Sequence, residues 1–211
     1  MDKTFKLIAR LFLGGLLLFE SLNQFSILHF TLDFTWFGLM VTLMTAWLIV
    51  EIVSVYIKKT CGYFLPAYCM LLVTAGIYLD AFGDILRLYG QFIWYDQLAH
   101  FISGAAAAGV LFSIIWCLNS SGKIKMGLWG LGFYSLTLAS FFGVLYELEE
   151  YFEDLFRGTN RLGDGPDTVN DLFLNIIGAL VVIIVICIYI KYRKNYRDIL
   201  IRTTKITQKH K

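Results

Sequence analysis

The chain has 211 residues, of which 58% are hydrophobic and only 16% are charged. A soluble globular domain typically has about 25% charged residues, so this composition argues against one. The formal net charge of +2 and the lack of any nucleic-acid-binding motif give no support to a nucleic-acid partner. The composition instead indicates an integral membrane protein whose partners include membrane lipids.

Six apolar runs follow one another along the chain, and each is long enough to cross a bilayer as a helix, which requires about 20 residues. The sequence therefore predicts an all-α polytopic membrane protein, with a single integral membrane domain over 1–211 that forms a six-transmembrane-helix bundle. The first run follows basic residues but lacks a small-residue cleavage site, so we expect an uncleaved span. The predicted spans are approximately 7–28, 34–57, 63–86, 93–118, 126–147 and 172–190.

The basic residues predict the orientation of these spans, because cytoplasmic loops carry an excess of Lys and Arg. If the N-terminus is cytoplasmic, 15 of the 18 basic residues fall on that side, including eight at 191–211. The other side receives only Arg87, Arg157 and Arg161. The sequence thus predicts that both termini are cytoplasmic, that 191–211 is a basic cytoplasmic tail, and that a loop at 151–168 lies outside.

The acidic residues collect on the predicted outer side. Thirteen of the sixteen lie there, and eight of these fall within 146–172. Acidic residues contribute little to orientation, so this segregation is independent information. Charged residues in or beside membrane spans are costly and usually face a bundle interior or a water-filled cavity. The distribution therefore indicates a polar site near the outer surface.

Helical spacing places many of these acidic residues on common helix faces. Asp80 and Asp84 are four residues apart, as are Asp96 and His100. Spacings of three or four also relate two further sets, which are Glu147, Glu150 and Asp154, and Asp167, Asp171, Asn175 and Gly178. Because all four sets lie at a similar depth, the sequence predicts one carboxylate-rich pocket that contains His100 and that Asp164 could reach from a loop.

Carboxylates crowded in one pocket repel one another, so a bound divalent cation or shared protons must neutralise them. Oxygen ligands suit Mg, Ca or Mn, and an added imidazole also suits Zn or Fe. We therefore expect a divalent metal ion, whose identity the sequence leaves open. The predicted metal ligands are Asp96, His100, Glu147, Glu150, Asp154, Asp167 and Asp171, and the further polar residues of the site are Asp80, Asp84, Asp164 and Asn175.

Several acidic residues also have purely structural interpretations. Asp167 could do no more than cap the helix that follows it. Asp80 or Asp84 could form an ion pair with Arg87, and Glu20 could hydrogen-bond a neighbouring helix. The acidic residues that lie off the common faces are predicted to be solvated; they are Glu149 and Glu153.

Three segments resemble the YjdF-like family of bacterial inner-membrane proteins: "YDQLAHFISG" from Tyr95, "YELEEY" from Tyr146 and "GDGPDTVNDLFLNIIGAL" from Gly163. The chain is more distantly similar to VanZ-like proteins, which carry Asp-x-x-x-His, Glu-x-x-Gln and Asp-x-x-x-Asn-x-x-Gly elements in the same order. Gln97 stands where a Lys is usual and Glu150 where a Gln is usual. The resemblance implies a polytopic helical protein of the bacterial plasma membrane and, through VanZ-like proteins, a link to the cell envelope and glycopeptide-antibiotic resistance.

An outward-facing acidic site of this kind predicts a metal-dependent envelope enzyme that acts on a lipid or lipid-linked headgroup. His100 and Glu150 are the predicted catalytic residues, since a metal ion and a nearby carboxylate can together activate water. Two other classes stay open, namely a non-catalytic envelope factor that binds a lipid or partner, and a proton or metal-ion transporter. A transporter requires a polar path to the cytoplasmic side, where Glu51 is the one acidic residue near a span.

Overall fold

The computed structural model describes residues 2–192, and the predicted basic tail lies outside these residues from position 193 onward. All regular structure within the described range is helical, which confirms the predicted all-α class. The helices are α1 (Asp2–Gln24), α2 (Trp36–Cys61), α3 (Ala67–Ile85), α4 (Leu88–Gln91), α5 (Ile93–Ser120), α6 (Leu128–Arg157) and α7 (Gly165–Tyr192).

Five of these helices, α2, α3, α5, α6 and α7, are long and apolar enough to cross a membrane. The protein is therefore a multi-pass helical membrane protein. Helix α1 forms where the first span was predicted, but it is not among the five. It differs from them in the charged side chains along its length, which are Asp2, Lys3, Lys6, Arg10 and Glu20.

The two helices that flank the acidic segment are longer than predicted. Helix α6 ends at Arg157 rather than near 147, and α7 begins at Gly165 rather than near 172. The connection between them is therefore 158–164, instead of the predicted loop at 151–168. The last turns of α6 were predicted to be part of a solvated loop. They are helical instead, and Glu147, Glu150 and Glu153 on one face of them are buried in the bundle.

Helix α5 lies at the centre of the bundle, where it packs against α2, α3, α6 and α7. One apolar core joins α1, α2 and α3 around residues such as Leu13 and Leu43. A second core joins α5, α6 and α7 around residues such as Leu131 and Ile183. The burial of apolar surface in these two cores positions the helices that carry the acidic residues.

Helices α5 and α7 approach most closely where glycines face the backbone of the partner helix. A side-chain carbon added at Gly104 would overlap the backbone of Asn175, and one added at Gly178 would overlap the carbonyl group of Phe101. Small residues allow this kind of close approach between membrane helices. The crossing brings His100 of α5 beside the polar residues of α7.

Polar contacts define the two ends of the bundle. At one end, the Arg10 guanidinium donates to the Glu51 carboxylate at 2.5 and 2.7 Å, and Asp2 accepts a hydrogen bond from the Ala67 backbone at the start of α3. At the other end, Asp84 accepts two hydrogen bonds, at 2.8 and 3.0 Å, from backbone N–H groups that precede α2. This second end comprises the end of α3, the start of α5, the end of α6 and the start of α7, and we call it the acidic end.

The close crossing predicts that Gly178→Val destabilises the protein. Overpacking of a well-packed interior costs about 1–3 kcal/mol, and the overlap here is with backbone that cannot rotate away. Gly76→Val is the matched control, because an added Cβ at Gly76 would meet nothing within 4 Å. We expect the Tm of the detergent-solubilised protein to fall for Gly178→Val and to stay close to wild type for Gly76→Val. Equal Tm values for the two variants would contradict the crossing.

Candidate functional site

His100 lies at the centre of a group of polar side chains from α5, α6 and α7. Its Nε2 atom is 3.4 Å from Oδ1 of Asp96 and 4.0 Å from Oδ1 of Asp171. Its Nδ1 atom is 3.7 Å from Oε1 of Glu147 and 3.1 Å from Nδ2 of Asn175. All but Asp96 are buried. We call these five residues the histidine cluster.

Three carboxylate oxygens of the histidine cluster lack hydrogen-bond partners. Both oxygens of Glu147 and Oδ1 of Asp171 are buried without a partner among residues 2–192. The two residues are only 5% and 3% exposed, so bulk water does not replace the missing partners. Leaving a buried polar atom unpaired costs about 1–3 kcal/mol, and more when the group is charged. The cluster is therefore suited to accept a cation or a proton.

Three residues of the histidine cluster have the spacing of a metal site. Each of the three offers one ligand atom, and these atoms all lie within 4.8 Å of one another; the residues are Asp96, His100 and Asp171. Tetrahedral bonds of about 2.0–2.2 Å place ligand atoms roughly 3.4 Å apart, so the measured separations are close to those of a bound ion. The other ring nitrogen, Nδ1, lies 3.1 Å from the Asn175 amide nitrogen and 3.7 Å from the Glu147 carboxylate, and partners of this kind orient a metal-binding histidine.

The donor set also restricts the metal. One imidazole and two carboxylates suit Mn²⁺, Fe²⁺ or Zn²⁺, whereas Ca²⁺ and Mg²⁺ favour shells made of oxygen atoms alone. The residues present therefore fit a transition-metal ion.

An open groove of ≈ 410 Å³ lies at the acidic end, and its wall includes the residues next to Asp96 and Asp171 in the sequence. We call it the polar groove. Asp164, on its wall, accepts a hydrogen bond at 3.0 Å from the backbone N–H of Asp167, so Asp164 is a cap for the first turn of α7. Asp167 was given a possible capping role, but Asp164 is the cap, and the side chain of Asp167 is exposed at the groove. The residues that line the groove are Gln97, Asp164, Pro166, Asp167 and Asn170.

A second group of polar side chains surrounds Arg161, which comes from the connection between α6 and α7. Its Nη2 atom donates to the Asp80 carboxylate at 3.0 and 3.2 Å and to the Tyr146 hydroxyl at 2.6 Å. Its Nε atom donates to Glu150 at 2.9 Å, and its Nη1 atom lies 3.7 Å from Oε2 of Glu153. We call these five residues the arginine cluster.

The side chain of Arg161 is only 2% exposed, so protein groups rather than water compensate its charge. Burial by itself lowers the pKa of this guanidinium, but its interactions with Tyr146, Asp80 and Glu150 raise the pKa well above its ordinary value. The guanidinium also lies 5.4 Å from the centroid of the Phe34 ring. Arg161 is therefore a permanent cation that ties α3, α6 and the segment before α2 together.

The structure thus divides the single predicted pocket into two clusters. Glu150, predicted to be a metal ligand and a catalytic residue, binds Arg161 instead, and so does Asp80. The Oε1 atom of Glu150 and both oxygens of Asp80 are thus engaged by the guanidinium. The predicted site residues that do come together around His100 are Asp96, Glu147, Asp171 and Asn175.

Two further acidic residues of α6 have other partners. Asp154, predicted to be a metal ligand, accepts hydrogen bonds at 2.7 and 3.0 Å from the backbone N–H groups of Arg161 and Leu162. It therefore fixes the connection that follows α6. Glu153, predicted to be solvated, is only 6% exposed and accepts a hydrogen bond from the hydroxyl of Thr35, the N-cap residue of α2.

The structure also contradicts the ion pairs predicted for Arg87 and the hydrogen bond predicted for Glu20. Arg87 does not pair with Asp80 or Asp84, since its Nε atom lies 3.8 Å from the Asp33 carboxylate and Asp84 binds backbone N–H groups. Glu20 is fully buried, and neither of its carboxylate oxygens has a hydrogen-bond partner within residues 2–192. The hydrogen bond predicted for Glu20 to a neighbouring helix is therefore not formed.

Two residues of the site escape prediction from the sequence. In the sequence, Arg161 is one of three basic residues on the predicted outer side, and Tyr146 is one of many aromatic residues, so neither stands out as part of a site. A signal for Arg161 was nevertheless present, because 146–172 holds eight acidic residues and two arginines. A cation that is rare among so many carboxylates is a strong candidate for their shared partner.

The chain was compared with known families, with curated proteins and with solved structures. A family of predicted membrane proteins, DUF2238, matches residues 9–192. The match includes every residue of the histidine and arginine clusters. No curated protein and no solved structure matches the chain.

The arginine cluster predicts that Arg161→Met strongly destabilises the protein. Removing one partner of a buried ion pair costs about 3–5 kcal/mol, because it leaves an uncompensated buried charge. Arg157→Met is the control, since Arg157 is exposed and lies over the Phe37 ring at 4.4 Å. We expect a large fall in Tm for Arg161→Met and a small one for Arg157→Met.

A double variant tests the physical reason for that loss. If uncompensated charge destabilises Arg161→Met, adding Glu150→Gln to it should raise the Tm again, although Glu150→Gln alone lowers it. Additive effects of the two substitutions would show that Arg161 contributes through packing instead.

Proposed function

Since the chain belongs to the DUF2238 family of predicted membrane proteins, as its resemblance to the YjdF-like family implies, we propose that it binds a divalent metal ion at the histidine cluster. With that ion it acts on the phosphate-bearing headgroup of a lipid or lipid-linked molecule at the membrane surface. The observation that carries the proposal is the set of buried carboxylate oxygens around His100 that have no hydrogen-bond partner in the described range. A role in the cell envelope is what the resemblance of three sequence elements to VanZ-like proteins would imply.

We assign different roles in metal binding to the residues of the histidine cluster. Asp96, Asp171 and the Nε2 atom of His100 hold the ion. Asn175, 3.1 Å from the opposite ring nitrogen, would fix the orientation of the imidazole. Glu147 lies beside it at 3.7 Å and adds negative charge. Bound there, a divalent ion polarises a phosphoryl oxygen and makes water more acidic.

The polar groove supplies the groups that face the substrate. Gln97 and Asn170 offer side-chain amides that can donate hydrogen bonds to a phosphate. Asp167 is an exposed carboxylate of this groove. In hydrolysis of a phosphate ester, water oxygen bonds to phosphorus as the bond from phosphorus to the leaving oxygen breaks, and Asp167 would take the proton of the water and return it to the leaving oxygen. This role replaces the one predicted for Glu150, which Arg161 holds in place.

The packing beneath the histidine cluster favours this function over transport. Toward the opposite end of the bundle, the space between α5, α6 and α7 is filled by an apolar core that includes Ala108, Phe112, Leu131 and Ile183. Within residues 2–192 this core leaves no chain of polar side chains between the three helices. A proton or metal ion bound near His100 therefore has no polar path inward along them.

The proposal predicts that a chelator lowers the Tm of the purified wild-type protein and that added metal restores it. An ion that binds only the native state stabilises it by about 2.7 kcal/mol when its concentration is 100 times its Kd. His100→Ala and Asp171→Asn should each abolish this response to metal. Asp33→Asn is the control, because Asp33 is an acidic residue of the same end that lies outside both clusters.

Removing an acidic residue from a crowded cluster also relieves repulsion, so the Tm of each variant must be compared with and without metal. The difference between the two conditions is the informative quantity. A wild-type protein that melts at the same temperature in chelator and in Mn²⁺, Fe²⁺ or Zn²⁺ would contradict the proposal.

We further propose that α1 is a sixth span and that both termini are cytoplasmic, in a bacterial plasma membrane. Two of the three basic residues of α1 are compensated by protein groups, since Arg10 binds Glu51 and the Lys6 Nζ atom lies 3.0 Å from Asp2, and the third, Lys3, lies in the first turn. The start of α1 and the end of α7 lie at the same end of the bundle, as an even number of spans requires. The acidic end then faces outward.

This topology predicts opposite labelling of two single cysteines by a membrane-impermeant thiol reagent. Asn160→Cys, in the exposed connection between α6 and α7, should react in intact cells. Lys123→Cys, in the connection between α5 and α6, should react only after the membrane is opened. The native cysteines are controlled by labelling the wild-type protein in parallel. The reverse pattern would place the acidic end in the cytoplasm.

A further inference from the structure

A second groove, with apolar walls, lies along the helix pair that also forms the polar groove. It has a volume of ≈ 420 Å³, and we call it the apolar groove. Residues of α5 between 101 and 113 and of α7 between 182 and 189 form two of its walls, and Tyr68 and Leu72 of α3 form the third. The three helices are all candidate membrane spans, so this groove opens toward the hydrocarbon of the bilayer.

The two grooves follow one seam between α5 and α7. Gln97 lines the polar groove, and Phe101, one helical turn further along the same face of α5, lines the apolar groove. On α7, Asn170 of the first turns lines the polar groove, and Val182 lines the apolar groove at greater depth. A molecule that occupies both grooves must therefore be polar at the acidic end and apolar within the membrane.

The dimensions of the apolar groove select the kind of occupant. The stretch 101–113 of α5 is about 18 Å long at 1.5 Å per residue. Over that length, ≈ 420 Å³ corresponds to a cross-section of about 23 Å², whereas a helix about 10 Å across requires roughly 80 Å². The groove is therefore too narrow for a helix of a partner protein and suits a single extended hydrocarbon chain.

The Tyr68 and Ser113 hydroxyl groups in the wall of the apolar groove have hydrogen-bond partners within the protein, so they do not need one from an occupant. The Tyr68 and Ser113 hydroxyl groups are hydrogen-bonded to each other at 2.7 Å, and Ser113 donates to the Gly109 carbonyl at 2.8 Å. Tyr189 adds a third hydroxyl group, at the α7 end of the groove, and the other lining residues are apolar, with the small residues Ala105 and Ala106 on the side of α5. A hydrocarbon chain can therefore enter the groove without leaving a buried polar group unpaired.

We propose that the apolar groove binds the single hydrocarbon chain of an amphiphile whose phosphate-bearing headgroup lies in the polar groove. The assignment of the headgroup rests on the proposed function, because two acidic residues line the polar groove and only a bound metal ion makes it attractive to a phosphate. The assignment of the chain does not depend on the metal. The substrate class is thus a single-chain lipid phosphate, such as a lysophospholipid or a prenyl phosphate.

Photolabelling of the full-length protein in detergent tests the proposal. The probe is a single-chain phospholipid that carries a diazirine near the middle of its acyl chain, and labelled residues are mapped by peptide mass spectrometry. We expect the label on α5 between 101 and 113 and on α7 between 182 and 189. Ala106→Trp, which fills the groove, should reduce this labelling at least several-fold. Leu48→Trp, on the exposed lipid-facing surface of α2, is the matched control and should leave it unchanged.

A second variant guards against misfolding of the first. If Ala106→Trp does not yield folded protein, Val185→Phe narrows the groove from the side of α7 and should have the same effect. Label that spreads over lipid-facing residues of α2 and α6 in proportion to their exposure, or that persists in a folded groove variant, would overturn the proposal.

Metal content measured on the same samples separates this inference from the proposed function. Groove labelling in a protein that holds no metal would support the chain site and overturn the metal-dependent function. Diffuse labelling in a protein that holds a stoichiometric metal ion would overturn the chain site and leave the proposed function standing.

Discussion

The burial of three carboxylates on one face of α6 is the constraint on which the acidic end depends. Glu147, Glu150 and Glu153 are three residues apart and each is at most 6% exposed. An uncompensated charge in such a place costs several kcal/mol, so each carboxylate needs a cation, a proton or hydrogen-bond donors. Arg161 lies against Glu150 and Glu153, and His100 lies against Glu147. These contacts, together with those of Asp80 and Asn175, link α3, α5 and α7 to the end of α6, within a bundle that the two apolar cores assemble.

The two clusters differ in how completely their charges are compensated. The arginine cluster has a permanent cation that makes four hydrogen bonds with Asp80, Glu150 and Tyr146, which suits a structural role. Within residues 2–192, two of its atoms, Arg161 Nη1 and Glu153 Oε2, have no hydrogen-bond partner, but they lie against each other at 3.7 Å. The unpartnered oxygens of the histidine cluster belong to carboxylates that lie near an open groove, which suits the binding of a ligand. Tyr146 connects them, because its hydroxyl binds Arg161 and its ring packs edge-on against His100 with centroids 6.0 Å apart.

Much of this arrangement is visible in the sequence, because helical spacing is a local property. The spacing of Asp96 with His100, and of Asp171 with Asn175, places each pair on one helix face, and the structure brings those faces together. The match of the DUF2238 family likewise agrees with the resemblance drawn from three short segments. Contacts between residues distant in sequence have no such local signal. Arg161 lies in an irregular connection, so no periodicity indicates that it reaches Asp80, which is 81 positions earlier in the chain.

The helix boundaries at the acidic end escaped prediction for a related reason. A hydropathy pattern treats charged residues as solvated, and on that basis α6 should end near 147. The charges beyond that point are instead compensated inside the bundle, so the helix continues to Arg157. For the same reason Glu150 looked like a free catalytic carboxylate until its partner was known. The end of α6 and the role of Glu150 both depend on contacts with Arg161, which lies outside the helix.

The proposed binding of a metal ion by Asp96, His100 and Asp171 can be tested at the imidazole. Protein loaded with Mn²⁺ can be examined by electron–nuclear double resonance, which detects a nitrogen atom bound to the ion. The account predicts a strong coupling to one ¹⁴N nucleus in the wild-type protein, which disappears in His100→Gln and persists in Asp33→Asn. Bound Mn²⁺ without a nitrogen coupling, or a coupling that persists in His100→Gln, would contradict it.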